Sequence, residues 1–299
     1  MAFKIFTDCA ADLTQEIIKE FDLKIIPLSY VNASKDYEYS LGSEKEAKTF
    51  YEFLRAKDDL STSCANEYTF IEHFERELKD GNDILYIGFS SALSQTYNNA
   101  VLAKNELLKK YPERKIICVD SLLASFGQGL MVHSICIYKE AGLTIEECAE
   151  KVLNTRLNVN SIFTVKTLAN LVRGGRISKL TYAIGTAIDI KPIMYVNEEG
   201  KLLSFAKVLG RKRSIFSLAD KVAKTIVNSE EQYVYISHGD CLEDAEYLAS
   251  LISSKIKVKG FIYNYIDPVI AVHSGPDTLA VFYFGKNRED SIKQGSNNI

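Results

Sequence analysis

The chain has 299 residues, of which 46% are hydrophobic and 25% charged, a balance typical of a globular protein with room for two domains. The formal net charge of −3 leaves no basic surface and argues against nucleic-acid binding. The sequence contains no long apolar span, and Phe3 opens a strand rather than a signal peptide. We therefore expect a cytoplasmic protein without an integral membrane segment.

The first half of the chain alternates between strand and helix patterns. Strands are predicted over 3–7, 23–31, 83–88 and 115–120. Helices are predicted over 44–57, 67–79, about 97–110 and 144–158, and a further helix follows Gly129 and ends near Ala141. Such alternation indicates a parallel sheet, and we assign residues 1–159 to an N-terminal α/β domain. Asp12 is predicted to cap a helix that starts near Thr14, and residues 60–66 to form a hydroxyl-rich loop.

One strand-to-helix turn carries an unusual number of hydroxyl groups. The strand Asp83–Gly88 is followed by Ser90, Ser91, Ser94 and Thr96, and a helix pattern begins directly after them. Such a turn lies at the carboxyl end of a strand, where open α/β sheets bind ligands, and the N–H groups of a helix start favour an anion. The residues leave two interpretations open, because a serine here could also serve only as a helix cap.

The second half mixes hairpin and helix patterns, and we predict an α+β domain over residues 160–290. The turn Asn197–Gly200 joins two strands, 190–196 and 201–208, into a hairpin. Further helices are predicted over 211–228 and 242–255, further strands over 161–165, 233–237, 258–265 and 278–284, and a short apolar turn over 267–276. Residues 291–299 are predicted to form a disordered tail.

Two stretches of the second half could meet an anion. Gly174 and Gly175 end a helix and allow a tight reversal, which Arg173 and Arg176 flank. The two guanidinium groups could bind a carboxylate or phosphate, or they could pair with acidic residues of the chain. His273 stands in a tight turn after an apolar run, where it is either structural or part of a site.

Several enzyme classes lack their signatures. Six scattered cysteines without a C-x-x-C pair, and four histidines far apart in sequence, predict no metal site. The stretch Gly88–Ala92 lacks the second glycine of a G-x-S-x-G nucleophile elbow, and no glycine-rich phosphate loop or G-x-G-x-x-G follows a strand. The remaining groups are neutral hydroxyls, one or two arginines and a histidine, which can hold an anionic head group without activating it.

Seven stretches, in the same order, resemble the DegV family over almost the full length of the chain. They are Ile5–Asp8 with Asp12 and Leu13, Ser61–Ser63, Ser90–Tyr97, Val119–Ser121, Leu171–Ile177, Lys191–Ile193 with Gly200, and His273–Pro276. The resemblance implies an α/β protein in which a parallel-sheet domain and an α+β domain hold one long-chain fatty acid between them. It also implies a bacterial protein that is not itself an enzyme and uses no cofactor. A separate fatty acid kinase would phosphorylate the bound carboxylate to an acyl phosphate for phospholipid synthesis.

Carried over residue by residue, the resemblance implies a carboxylate site. Thr62 and Ser94 would hold the carboxylate, and His273 would approach it. The implied ligand-binding set is completed by their neighbours Ser63, Ser91, Gln95, Thr96 and Ser274. Arg173, together with Arg176, would stand where the kinase docks.

Four positions depart from the family pattern. Cys9 replaces a usual serine, and Ala65-Asn66 stands where a proline is usual. Gln95 and Asp277 each replace a glycine. Gln95 places a side chain at a turn that would closely approach the ligand, where it would reshape the head-group site or supply another donor.

The chemistry of a fatty acid sets the remaining expectations. Each buried methylene contributes about 0.8 kcal/mol, and a buried carboxylate has to be hydrogen-bonded. We therefore expect an apolar tunnel with walls that include Ile184, Ile188, Ile190, Phe205 and Ile270. The alternatives are a carrier or sensor of another anionic lipid or small acid, and a serine hydrolase that uses Ser94 and His273.

Overall fold

The computed structural model describes residues 2–32, 35–39, 43–56, 60–178 and 189–294. The predicted tunnel residues Ile184 and Ile188, the end of the predicted helix at Lys57, and tail residues 295–299 lie outside this range.

The helices and strands fall into two lobes. In chain order, the first lobe contains β1 (Phe3–Asp8), α1 (Gln15–Glu20), β2 (Lys24–Ile26), β3 (Leu28–Asn32), β4 (Lys35–Tyr39), α2 (Glu44–Arg55), β5 (Leu60–Ser63), α3 (Glu67–Lys79), β6 (Asp83–Gly88), α4 (Thr96–Lys110), β7 (Ile116–Asp120), α5 (Phe126–Glu140) and α6 (Ile145–Thr155). The second contains β8 (Val159–Thr164), α7 (Ala169–Arg173), β9 (Ile190–Val196), β10 (Leu202–Leu209), α8 (Arg211–Thr225), β11 (Tyr233–His238), α9 (Leu242–Ser253), β12 (Gly260–Tyr265), α10 (Pro268–Ser274), β13 (Leu279–Phe284) and α11 (Arg288–Lys293).

A parallel sheet in the order β2-β1-β6-β7 forms the centre of the first lobe, as the alternating pattern predicted. Helices cover both of its faces, because successive residues of a strand point to opposite sides. Ile84 and Tyr86 of β6 pack in one cluster with α3 and α4, and Leu85 and Ile87 pack in another with α1, α5 and α6.

An antiparallel sheet in the order β4-β3-β5 projects from this lobe, and the sequence did not predict it. The strand predicted over 23–31 is divided at Pro27, which has no N–H for a sheet ladder, so that β2 and β3 join different sheets. Residues 60–63, predicted as loop, form β5. We call β3, β4, β5 and α2 the flap.

A six-stranded sheet in the order β10-β9-β8-β13-β11-β12 forms the second lobe and confirms the α+β prediction. Among its described strands, β11 and β12 alone pair in parallel. One face, with Phe163 and Phe282, packs on the first lobe in the cluster that contains α5. The other face, with Ile162 and Ile236, packs against α8 and α9.

Three local predictions are corrected by the structure. Thr14, not Asp12, caps α1, because the Thr14 side chain accepts the Ile17 N–H. The predicted turn over 267–276 contains helix α10, whose start is capped by Asp267. Residues 291–293, placed in a disordered tail, complete α11.

Candidate functional site

A partly open apolar cavity of about 70 Å³ lies between the lobes. The loops after β6 and β7 form one side, and the inner face of the second sheet with α7 and α10 forms the other. The larger apolar side chains of its wall are Leu93, Phe163, Leu171, Val196, Leu202, Ile266, Ile270 and Phe282. Ile270 therefore lies where the sequence placed it. Ile190 does not line this cavity, and the prediction for Phe205 is wrong, because Phe205 packs against the outer cluster with α8.

Thr62 and His273 meet at the edge of this cavity. Thr62 Oγ1 lies 2.9 Å from His273 Nε2, although 211 positions separate the two residues in sequence. Thr62 is placed by its pairing with Tyr30 in the flap, and His273 by helix α10. An apolar cluster holds flap and helix together; its members are Tyr30, Phe50, Tyr51, Leu54, Leu60, Ile266, Ala271 and Val272. Because this cluster is buried, it keeps the Thr62 hydroxyl in contact with the His273 imidazole.

The imidazole of His273 is held in its uncharged form. Burial, followed by the charges of Arg176 and Arg173, lowers the pKa of His273 from 6.5 to about 4. The ring also packs directly on the Gly174 backbone: a Cβ at Gly174 would stand 2.1 Å from His273 Nδ1. Glycine at this position is therefore required by the ring that it contacts.

The hydroxyl-rich turn after β6 folds largely upon itself. Ser94 N–H donates to the Ser90 carbonyl, and Ser94 Oγ lies 2.8 Å from Thr96 Oγ1. Ser94 Oγ also accepts the Thr96 N–H at 3.3 Å, but the N-cap residue of α4 is Gln95, which makes no side-chain cap hydrogen bond, so the predicted serine cap is not formed. The Ser91 N–H donates to the Asp120 carboxylate at 3.3 Å. The turn is thereby anchored to its own sheet.

The same turn also touches the second lobe. Ser90 Oγ donates to the Gly200 carbonyl in the β9–β10 hairpin at 3.0 Å. Gly200 has φ +77°, and a Cβ there would lie 2.2 Å from that Oγ. A side chain at this hairpin turn would push the two lobes apart.

The other predicted ligand-binding residues point in different directions. Ser274 is buried and lines the cavity, and its Oγ has no hydrogen-bond partner within the described ranges. Ser63 is exposed and follows Thr62 in β5, so its side chain leaves the opposite face of the strand. Gln95 is exposed, and its Oε1 accepts from Asn98 Nδ2 at 2.9 Å. The Gln95 side chain thus follows the surface of α4 instead of entering the cavity.

The two arginines of the Gly174-Gly175 reversal have different roles. Arg176 lines the cavity, donates from Nε to the Leu93 carbonyl at 3.2 Å and from Nη1 to the Gly174 carbonyl at 2.6 Å. Arg176 therefore links the Ser90–Thr96 turn to the Gly174-Gly175 reversal through hydrogen bonds. Arg173 is exposed. In the part of the chain that the structure describes, neither arginine forms an ion pair with a carboxylate.

Asp12 is a contact point between the lobes that the sequence did not reveal. Its side chain is fully buried and accepts the Asp267 N–H at 2.9 Å, the Ser237 hydroxyl at 2.9 Å and the Ser125 hydroxyl. Burial raises the pKa of Asp12 from 3.8 to about 7. All three partners are distant in sequence, so a local pattern suggests only a helix cap.

A larger pocket of about 380 Å³ lies on the other side of Ile266. It is more polar, with His238, Tyr265 and Asp267 in its wall, and it contains none of the residues predicted to bind a ligand. The smaller cavity is the better candidate, because an apolar wall there meets hydrogen-bonding groups that include His273 and Arg176.

A serine-hydrolase geometry is not assembled around His273. Ser94 Oγ bonds to Thr96, and among the described residues no carboxylate hydrogen-bonds to the His273 ring. That chemistry requires a nucleophile that is hydrogen-bonded to a base, and an acid that is hydrogen-bonded to the base and orients it. The described ranges contain no cluster of His, Cys, Asp or Glu suited to a metal ion, and none of their helices is long and apolar enough to cross a bilayer.

Fold and site together define a two-lobed protein in which a parallel-sheet lobe and a mixed-sheet lobe enclose an apolar cavity. A family model described as "Uncharacterised protein, DegV family" matches residues 2–286. The chain belongs to the DegV family.

Relatives support this assignment along the whole chain. A DegV domain-containing protein of Clostridium perfringens is 44% identical over 287 residues, which cover 96% of this chain and 99% of the relative. A DegV lipid-binding protein from Thermotoga maritima has a TM-score of 0.85 at 27% identity, with 96% and 100% coverage. A second Thermotoga maritima protein, whose structure reveals fatty acid binding function, has a TM-score of 0.83 at 27% identity, with 94% and 98% coverage.

Proposed function

We propose that this protein binds a long-chain fatty acid between its lobes and presents it to a partner fatty acid kinase. The carboxylate is held by Thr62, Ser94 and His273, and the acyl chain occupies the apolar cavity. The observation that carries the proposal is the Thr62–His273 pair, 2.9 Å apart, at the edge of a cavity with an apolar wall. Structural relatives that bind lipid and fatty acid support it.

Neutral groups suit a ligand that has to remain reactive. When the His273 Nε2–H donates to the Thr62 hydroxyl, the hydroxyl proton is free to donate to a carboxylate, which avoids the cost of burying a bare charge. Because these groups do not neutralise the carboxylate, its oxygen stays nucleophilic toward a phosphoryl donor. The protein itself performs no chemistry and needs no cofactor in this proposal, and the acyl phosphate for phospholipid synthesis is made by the cytoplasmic kinase.

The acyl chain requires more room than the cavity provides. A volume of about 70 Å³ is well below the roughly 300–1,000 Å³ of ordinary ligand pockets. Binding therefore includes local widening of the cavity around Leu93 and Ile270. The gain of about 0.8 kcal/mol for each buried methylene supplies the free energy for that widening.

Extraction of the purified protein with organic solvent, followed by mass spectrometry, tests the proposal. We expect a stoichiometric long-chain fatty acid, and a large loss of it in the Thr62→Val variant. A different anionic lipid or small acid would support the alternative carrier function. Recovery of no acyl chain, together with no uptake of added oleate, would contradict the proposal.

Arg173 is proposed to contact the kinase, because it is exposed beside the carboxylate site whereas Arg176 is engaged with backbone carbonyls. The Arg173→Ala variant should retain fatty acid at the wild-type level and show slower kinase-dependent acyl-phosphate formation. His273→Ala is the comparison, and it should lose both properties. Equal loss of retention in the two variants would count against a docking role.

A further inference from the structure

The flap belongs to the first lobe by sequence but packs on the second. It is inserted between β2 and α3, and its apolar side chains cluster with Ile266, Ala271 and Val272 of the α10 region. Tyr51 Oη also donates to the Ile266 carbonyl at 2.9 Å. Because Thr62 lies in the flap and His273 in α10, any movement of the flap away from α10 separates these two residues.

One arginine bridges the flap to two turns of the second lobe. Arg55, the last residue of α2, binds the Asp240 carboxylate, and its Nη2 donates to the Asp240 carbonyl at 3.1 Å and to Asp277 Oδ1 at 3.2 Å. Lys166 binds the other oxygen of Asp277 at 2.9 Å. The side chains of Arg55, Asp240 and Asp277 are 39%, 26% and 30% exposed, so this network is only partly screened by solvent.

Both aspartates lie in turns with a left-handed backbone, which Asp tolerates better than most residues other than glycine. Asp240 has φ +57° and Asp277 has φ +62°, in the left-handed region that glycine adopts without strain. Two turns that glycine would suit better instead carry carboxylates, and both carboxylates converge on the Arg55 guanidinium. This accounts physically for the aspartate at 277, where the family resemblance leads one to expect glycine.

We propose that Arg55 is a positioning residue of the carboxylate site: its bridge to Asp240 and Asp277 holds the flap on α10, keeps Thr62 against His273 and slows ligand release. This inference rests on the proposed function. Arg55 does not itself touch the ligand. It acts through the flap, and its loss raises the fraction of time in which Thr62 and His273 are apart.

The test measures release of the fluorescent C18 fatty acid cis-parinaric acid, displaced by excess oleate in a stopped-flow instrument. Arg55→Ala should release it about tenfold faster, and Arg55→Lys should recover part of the difference because a single ammonium can bind only some of the acceptors. Arg76→Ala is the matched control, since Arg76 forms an exposed ion pair with Glu72 on α3. It should release the probe at the wild-type rate.

Asp277→Gly separates positioning from general stability. This variant removes one acceptor of Arg55 and also relieves the left-handed backbone, so its Tm should stay within a few degrees of wild type while release becomes about threefold faster. A fall in Tm with an unchanged release rate would mean that Asp277 serves stability alone and would overturn the proposal.

Hydrogen–deuterium exchange in the ligand-free protein keeps the two proposals distinguishable. Arg55→Ala should increase exchange in peptides from α2 and β5, and leave peptides from β6 and α4 unchanged. If the wild-type protein binds no cis-parinaric acid, the proposed function fails, and unchanged flap exchange would then also refute the role of Arg55. If the wild-type protein binds the probe, a release rate within twofold of wild type in Arg55→Ala refutes the role of Arg55 alone.

Discussion

Two sets of hydroxyl groups face the region between the lobes, and they are held in different ways. The Ser90–Thr96 turn is held largely by bonds within itself and to the end of β7, although Ser90 Oγ also reaches the Gly200 carbonyl of the second lobe. Thr62 instead reaches its partner His273 across 211 positions, and only while the flap is packed on α10. The first set is preorganised by its own loop, whereas the contact between Thr62 and His273 forms only when the flap is packed on the second lobe. The proposed carboxylate site, which needs both sets, is therefore complete only in the closed arrangement.

The largest effect should come from a substitution at Gly174 that displaces the His273 ring from Thr62. A methyl group at Gly174 would stand 2.1 Å from His273 Nδ1, so Gly174→Ala has to displace the ring. We expect fatty-acid affinity to fall about 30-fold, equivalent to roughly 2 kcal/mol, as measured by isothermal titration calorimetry with oleate.

Gly175→Ala is the control for that experiment. Gly175 has φ +72° and open space where its Cβ would lie, so a substitution there strains the backbone without touching the ring. It should lower stability by about 1 kcal/mol and alter affinity little. If the two variants lose affinity equally, backbone strain and not displacement of His273 is responsible.

The two sets can also be compared by removing one hydroxyl from each. Thr62→Val keeps the shape of the side chain and should weaken oleate binding about tenfold, the value of one hydrogen bond to a charged group. Ser94→Ala should cost less, about threefold, because Ser94 Oγ already bonds to Thr96 and has to leave that partner. Thr49→Val, at an exposed position of the flap helix, is the matched control and should bind as wild type. A larger loss in Ser94→Ala than in Thr62→Val would reverse the comparison.

The smallest effect concerns pH. An unfolded histidine binds a proton below about pH 6.5, but folded His273 does so only near pH 4. Its contribution to the free energy of unfolding is therefore present above pH 6.5 and is lost as the pH falls to 4. His238, whose pKa burial also lowers to about 4, acts in the same direction. Asp12, with a pKa raised to about 7, acts in the opposite direction, since its contribution is lost as the pH rises from about 4 to 7.

Comparison with a variant isolates the contribution of His273 to the pH dependence of the free energy of unfolding. In urea denaturation, the stability difference between wild type and His273→Gln should be largest at pH 7 and should shrink toward pH 4. A difference that stays constant over this range would show that the ring is not held in its uncharged form.

Sequence patterns predicted those parts of the fold that depend on local periodicity. The parallel strands read as buried apolar runs, and the hairpin over 190–208 has a glycine turn, so both were found. Helix α2 of the flap was predicted, but its three-stranded sheet was missed, because β5 consists of Leu60-Ser61-Thr62-Ser63, which shows no apolar alternation. Phe205 was misplaced because an apolar residue does not reveal which face of its sheet it joins.

The site was predictable only to the extent that family motifs carry it. The motifs named Thr62 and His273, which the structure brings into contact, and Gln95, whose side chain turns outward. Asp12 and Arg55 were not recognised as contacts between lobes, because their partners lie more than 100 positions away. No spacing rule identifies such pairs.

The insertion of the flap also determines how the molecule comes apart. A fragment that ended near residue 159 would carry Tyr30, Phe50 and Leu60 without the α10 surface that covers them. The complementary fragment would leave Ala271 and Val272 uncovered. Since neither half can complete its own interior, the chain should unfold in one cooperative transition, and a nick between the halves should produce two aggregation-prone pieces rather than two folded domains.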